Sequence, residues 1–206
     1  MHTLIKPETL SDKGIFLQIP AGVHHFTDDE FFAFCQANRP LNFERDKSGN
    51  IFVIMPTGSK TSNTNIEIAA DFVIWNRKHK LGKVFDSSGG FTLPDTSVKS
   101  ADVAWIENAR WNAVPEGQQE KFAPICPDFV LELRSPSDRL ADAQTKMREW
   151  IENGCRLAWL LDLPNEKVYT FRQDGTQAEM QGFDHILSGE NVLAGFELNL
   201  QVLKSN

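Results

Sequence analysis

The sequence predicts a mixed α/β domain, of the α+β type with a mixed sheet. Helix-like and strand-like patterns alternate along the chain, which favours helices packed on a sheet. Two mostly apolar runs, Phe129–Arg134 and residues 155–163, are typical of strands buried on both faces. The chain has 206 residues, of which 41% are hydrophobic and 24% charged, so it can form one globular domain. We therefore expect an irregular N-terminal arm over residues 1–25 and a single domain over residues 26–206.

The first predicted elements are a short helix and a β-hairpin. Residues 27–30, Thr-Asp-Asp-Glu, have the capping-box pattern, so a helix should begin there and end near Asn38. Residues 42–46 and 51–55 are strand-like, and the polar turn between them contains Gly49. Both elements precede the predicted second helix and the strands that follow it.

A second helix and three strands are predicted next. The helix should run from Asn65, as its N-terminal cap, to about Lys80, with Gly82 as its C-terminal cap. Strand-like stretches follow at residues 83–87, 90–93 and 102–106. A polar connection then leads to the central strand.

The central strand, a third helix and a further strand complete the predicted core. Phe129–Arg134 is followed by Ser-Pro-Ser-Asp, which should end the strand and start a helix that reaches Asn153. The order is helix, three strands, central strand, helix, strand. An extra helix and hairpin precede this core, and extra strands follow it.

The composition of the chain argues against several classes of protein. The net charge of −7 argues against a protein that grips nucleic acid by bulk charge alone. The three cysteines, Cys35, Cys126 and Cys155, form no closely spaced pair, so neither a disulfide framework nor a cysteine-built zinc site is expected. No apolar run approaches the length that spans a bilayer. We expect a cytoplasmic protein that does not bind membranes.

Glu132 is the first candidate site residue, because it interrupts the apolar central strand. A carboxylate there is costly to desolvate unless a cation accompanies it. Side chains alternate along a strand, so Val130, Glu132 and Arg134 share one face. Glu132 could therefore form a buried ion pair with Arg134, lie near a solvated sheet end, or belong to a site.

Asp102 is the second candidate, at the start of another predicted strand with apolar neighbours. If Asp102 and Glu132 converge, their repulsion raises one pKa unless a divalent cation lies between them. Mg²⁺ and Mn²⁺ prefer such oxygen ligands. The alternative for Asp102 is an ordinary aspartate at a strand start.

Lys146 is the third candidate. It lies on the flank of an apolar helical stripe that includes Met147 and Trp150. Its stem can run along the sheet and bring its ammonium group near Glu132, although a lysine at a helix boundary can also simply reach for solvent.

Four segments of the sequence together resemble the Uma-type restriction endonuclease family of the PD-(D/E)xK nuclease superfamily. These segments are residues 100–106, 127–138, 146–154 and 158–162. The resemblance spans roughly residues 40–200, and its combination of motifs is more specific than any one of them. It implies a restriction-endonuclease-like core, a divalent metal, DNA as the partner, and a homodimer.

The resemblance also implies roles for individual residues. Asp102, Glu132 and the Leu133 carbonyl would hold Mg²⁺ or Mn²⁺. Arg134 stands where the superfamily usually has lysine, and an arginine cannot act as a base. Lys146 would take over the role of that lysine, with Arg134 as an electrostatic helper.

Two further assignments complete the expected site. Glu44 matches a family glutamate and could be another carboxylate on the metal, or else an exposed strand residue. Arg77, Lys78 and Lys80 could bind substrate phosphates. They also suit the C-terminus of a helix through its macrodipole.

Three functions are compatible with these residues. The first is a Mg²⁺-dependent endonuclease that hydrolyses DNA at Asp102, Glu132 and Lys146. The second is a catalytically inactive nuclease fold that serves as a binding or regulatory module. The third is a glycosidase with Asp102 and Glu132 as acid and base, which would need a long groove lined by aromatic side chains.

Overall fold

The computed structural model describes residues 10–11, 14–20, 22 and 24–204, and it confirms a mixed α/β fold. The α-helices are α1 (Asp28–Ala37), α2 (Ser59–His79), α3 (Asn108–Ala113), α4 (Glu116–Gln119) and α5 (Leu140–Glu152). The first seven strands are β1 (Leu10–Ser11), β2 (Gly14–Leu17), β3 (Asn42–Arg45), β4 (Ile51–Ile54), β5 (Gly82–Asp86), β6 (Gly90–Thr92) and β7 (Val98–Ser100). The others are β8 (Val103–Glu107), β9 (Phe129–Arg134), β10 (Leu157–Asp162), β11 (Lys167–Arg172), β12 (Gln177–Gln181), β13 (Ile186–Ser188) and β14 (Glu197–Asn199).

The described strands form two six-stranded sheets and one small sheet. The first sheet has the order β1-β2-β4-β3-β7-β6, and the second has the order β12-β11-β10-β9-β8-β5. Only β9 and β10 run parallel in the second sheet, because α5 connects them as a crossover. Strand β9 lies between β8 and β10, as a strand buried on both faces should.

Helices α2 and α5 cover opposite faces of the second sheet. Ile68, Phe72 and Trp75 of α2 pack into an apolar cluster with alternate residues of β8, β9 and β10. Met147 and Trp150 of α5 are fully buried against the opposite face. The apolar stripe predicted for α5 is therefore confirmed, and the helix holds Lys146 at the edge of this cluster.

The first helix and the hairpin agree with the sequence. At the start of α1, the Glu30 amide donates to Thr27 Oγ1 (3.2 Å) and the Thr27 amide donates to Glu30 Oε2 (2.8 Å), which completes a capping box. Strands β3 and β4 pair antiparallel around the turn that contains Gly49.

The arm is less irregular than the sequence indicates. Strand β2 pairs antiparallel with β4, so part of the arm extends the first sheet. Four residues are too few to display a clear alternation of polar and apolar side chains. Residues 1–9, 12–13, 21 and 23, which also belong to this prediction, lie outside the described residues.

The predicted start of α2 is wrong, and so is its predicted C-terminal cap, whereas the predicted end near Lys80 is confirmed. The helix begins at Ser59, after Gly58 as N-cap, so the polar residues before Asn65 form its first turns. It ends at His79, and Lys80 caps it in the left-handed conformation with φ 54°. Gly82 instead begins β5, where a Cβ atom would lie 2.2 Å from the Ile106 carbonyl oxygen. The close strand pairing therefore requires glycine at this position.

The three strands predicted after α2 divide between the two sheets. Strands β5 and β8 pair in the second sheet, whereas β6 pairs with β7 in the first. Strand β7, with three residues, has no counterpart in the sequence prediction. The chain thus crosses from the first sheet to the second between Ser100 and Val103, and Asp102 lies in this corner.

No helix among the described residues is long and apolar enough to cross a membrane.

Candidate active site

A pocket of about 270 Å³ opens at the C-terminal end of β9. It lies where the first sheet, the first turns of α2, the corner before β8 and helix α5 meet. Its walls include all five side chains expected to act in the site, namely Glu44, Asp102, Glu132, Arg134 and Lys146. The fold therefore brings together residues that are up to 102 positions apart in sequence.

Asp102 is held in place by two hydrogen bonds. The Leu133 amide of β9 donates to its Oδ2 (2.7 Å), and the Asn65 side-chain amide of α2 donates to its Oδ1 (3.0 Å). Burial raises the pKa of Asp102, although both hydrogen bonds and Lys146 oppose this shift. Sequence reasoning missed Asn65 as a partner, because an Asn at the edge of a polar stretch is typical of a helix cap.

Glu132 lies inside β9, opposite Leu160 of β10, and only 16% of its side chain is exposed. Its Oε1 is 2.9 Å from Lys146 Nζ, yet it makes no hydrogen bond of regular geometry. Burial raises the pKa of Glu132 to about 7, and repulsion from Asp102 and Glu44 adds to this effect. Attraction by Lys146 only partly offsets the shift.

Lys146 joins the two sheets through its ammonium group. Besides Glu132, its Nζ contacts Glu44 Oε1 (3.1 Å) and donates to the Ser100 carbonyl (2.8 Å). Burial alone would lower the pKa of Lys146, but the two carboxylates outweigh burial and raise it. Lys146 therefore carries its charge at neutral pH. Its ammonium group lies between the two carboxylates and does not simply extend into solvent, which was the alternative.

Glu44 reaches the pocket from β3 of the first sheet. Its Oε1 accepts hydrogen bonds from the Ser100 amide (3.1 Å) and the Ser100 hydroxyl (3.2 Å), as well as from Lys146. Burial would raise the pKa of Glu44, but Lys146 and Lys99 lower it overall. Glu44 thus stays ionised and is one of the charges that hold Lys146.

Arg134 does not pair with Glu132, which was one of the alternatives left open by the sequence. Its guanidinium pairs instead with Asp162, the residue opposite it on the parallel strand β10. Its Nε also donates to the Asp138 carbonyl (2.9 Å). Arg134 therefore lines the pocket without occupying the space between Asp102 and Glu132.

Three expected substrate-binding residues lie elsewhere. Arg77 and Lys78 are in the last turn of α2, and Lys80 caps it. Lys80 follows Asn65 by fifteen positions, which corresponds to roughly 20 Å along a helix. The fold does not bring Arg77, Lys78 or Lys80 to the pocket.

The donor chemistry of the pocket fits a hard divalent cation held by two carboxylates. Among the described residues, no group of three or more His, Cys, Asp or Glu side chains is arranged to hold a metal. Mg²⁺, however, is often bound by one or two carboxylates and keeps several waters. Asp102 and Glu132 both have raised pKa values, and Glu132 Oε1 lacks a regular hydrogen bond, so a cation would relieve both conditions.

Comparisons with known proteins identify a family and a similar fold. The family described as "Uma2: Putative restriction endonuclease" matches residues 28–201. A crystal structure of a putative nuclease belonging to DUF820 from Anabaena variabilis is similar, with a TM-score of 0.68 and 19% sequence identity. The match covers 87% of this chain and 98% of that chain, and at this identity it concerns the fold. No curated protein matches the chain.

Proposed function

The chain belongs to the Uma2 family of putative restriction endonucleases, and from this premise we propose that its pocket hydrolyses DNA phosphodiester bonds with Mg²⁺ or Mn²⁺. One observation carries the proposal. Two largely buried carboxylates with raised pKa values, Asp102 and Glu132, share a pocket with a charged lysine, Lys146. Like charges cluster in this way at sites that bind a cation or move protons.

Each pocket residue has a specific role in this proposal. Asp102, Glu132 and the Leu133 carbonyl would hold the cation, which polarises a phosphate and lowers the pKa of a bound water. Lys146 would orient that water and stabilise the negative charge that develops on the phosphate. Arg134 remains protonated and would add positive potential at the rim of the pocket.

Glu44 would act on Lys146 rather than on the cation. Its Oε1 already accepts three hydrogen bonds, two from Ser100 and one from Lys146. This arrangement fixes the ammonium group beside Glu132. The first sheet would thereby complete a catalytic centre that is otherwise built on the second sheet.

The competing functions find less support. A glycosidase would need an aromatic groove, and the described residues that line the pocket include no aromatic side chain. An inactive relic would be favoured by an arginine that fills the cation position, but Arg134 is paired with Asp162. The endonuclease is therefore the function that the pocket supports best.

Cleavage assays test the proposed function directly. The wild-type protein should nick or linearise plasmid DNA in Mg²⁺ or Mn²⁺, and excess EDTA should stop the reaction. The products should carry the ends of hydrolysed phosphodiester bonds. Intact plasmid and intact linear DNA under all metal conditions would leave the inactive binding module as the better interpretation.

Asn65→Ala should weaken the binding of Mn²⁺ by about tenfold or more. Removing a hydrogen bond that orients a ligating carboxylate typically costs 10- to 100-fold in metal affinity. Asn65 donates to Asp102 Oδ1, so its loss frees one side of that carboxylate. Calorimetric titration with Mn²⁺ measures the effect, with Asn63→Ala, an exposed change two residues earlier in α2, as the control. Equal affinities of Asn65→Ala and wild type would contradict this role.

A further inference from the structure

Basic residues are concentrated at the end of the second sheet that lies away from the pocket. Between Asp71 and Asp86 the sequence contains Arg77, Lys78, Lys80 and Lys83 and no acidic residue. This concentration stands out in a chain whose net charge is −7. These four cations form a basic surface.

The cations of the basic surface are free to bind a ligand. All four residues are exposed, and none takes part in an ion pair among the described residues. On the neighbouring strand β8, Glu107 pairs in register with Gly82, the residue before Lys83. Its Oε2 lies 3.9 Å from Arg156 Nη1, so Glu107 is oriented toward a different cation.

The helix macrodipole explains only part of this concentration. Cations in the last turn of a helix gain a fraction of a kcal/mol, and the effect fades beyond that turn. Arg77 and Lys78 lie within α2, but Lys83 lies in β5, beyond the helix end. The strand residue therefore has no electrostatic role in ending the helix.

A cavity joins the two elements of the basic surface. Arg77, Lys80 and Lys83 line the same opening of about 480 Å³, together with Asn108 at the start of α3. Three cations around one cavity suit a ligand with several negative charges at fixed spacing. Neighbouring Arg110 and Arg156 do not add free charge, because both contact the buried carboxylate of Asp128.

We propose that the basic surface binds the phosphate backbone of DNA at a second contact, roughly 20 Å from the catalytic pocket. Duplex DNA carries one charge per about 1.7 Å of its axis, so a duplex that spans this distance has phosphates at both contacts. The pocket itself is acidic and cannot hold a polyanion tightly without a cation. The choice of DNA as the polyanion rests on the proposed function.

The test measures DNA binding in EDTA, so that no cleavage occurs. The triple variant Arg77→Gln/Lys80→Gln/Lys83→Gln should bind a fluorescent duplex of about 30 base pairs at least about tenfold more weakly than wild type. The slope of log affinity against log salt should become less steep by roughly 0.9 for each phosphate that the variant no longer neutralises, or about 3 in all. The matched control, Arg39→Gln/Lys47→Gln/Arg148→Gln, changes the net charge equally at exposed cations elsewhere that form no ion pair among the described residues.

The outcomes separate this proposal from the proposed function. Weaker binding in the triple variant alone supports the basic surface, even if wild type fails to cleave DNA in Mg²⁺. Equal affinities of all three proteins, equally weakened binding in both variants, or no wild-type binding would overturn it. The single variant Lys83→Glu, whose side chain is exposed on an edge strand, provides the same comparison if the triple variant does not fold.

Discussion

Glu132→Gln should reduce metal-dependent DNA cleavage by about a hundred- to a thousandfold, and Asp102→Asn should do the same. An amide has nearly the shape of the carboxylate but lacks the charge that attracts a divalent cation. Losing one preorganised electrostatic contact to the reacting centre typically costs this much in rate. Initial rates of plasmid nicking in Mg²⁺ measure the effect.

Glu132→Gln should fold at least as well as wild type. Burial opposes the charge of Glu132, so its neutral replacement removes a cost that the folded state bears. Glu179→Gln, at an exposed position of β12, is the matched control and should retain full activity. Wild-type nicking rates in Glu132→Gln would show that the pocket is not the catalytic centre.

Lys146→Met should destabilise the metal-free protein by about 3 kcal/mol. The methionine fills much of the same volume but leaves Glu44 and Glu132 without a cation in a largely buried place. Breaking a buried ion pair by removing one partner typically costs 3–5 kcal/mol. Chemical denaturation at pH 7.5 or above gives the value, and Lys167→Met is the control. Lys167 forms an exposed pair with Glu179, which should contribute less than about 1 kcal/mol.

The effect of Lys146→Met should depend on pH in a defined direction. The folded-state pKa of Glu132 is raised to about 7 from the usual 4.5, so the folded protein binds more protons than the unfolded chain between these values. The stability of the metal-free protein should therefore fall as pH rises through this window. In Lys146→Met the fall should continue to higher pH, because the attraction that favours ionised Glu132 is gone. Parallel pH profiles of the two proteins would contradict the pairing.

The sequence predicts the elements whose periodicity is long or strongly marked. Helix α1 carries a complete capping box, β9 is a nearly unbroken apolar run, and α5 has a clear apolar stripe. The central carboxylate is visible for the same reason, because Glu132 interrupts a run of apolar side chains. A charged residue that interrupts an apolar run can therefore be recognised from the local sequence alone.

The features that sequence analysis missed depend on distant contacts. Strands β6 and β7 have three residues each, too few for periodicity to show which sheet they join. The hydrogen bond from Asn65 to Asp102 and the contact from Glu44 to Lys146 span 37 and 102 positions. The distance of Arg77, Lys78 and Lys80 from the pocket follows from the length of α2 between Asn65, which contacts Asp102, and the C-terminal end of the helix.

The cation site is tested most directly by the thermal unfolding of three proteins with and without Mn²⁺. A ligand that binds only the folded state stabilises it by about 2.7 kcal/mol at one hundred times its Kd. We expect Mn²⁺ to raise the Tm of wild type clearly, and to leave the Tm of Asp102→Asn and Glu132→Gln nearly unchanged. An unchanged wild-type Tm, or equal shifts in all three proteins, would contradict a cation site at Asp102 and Glu132.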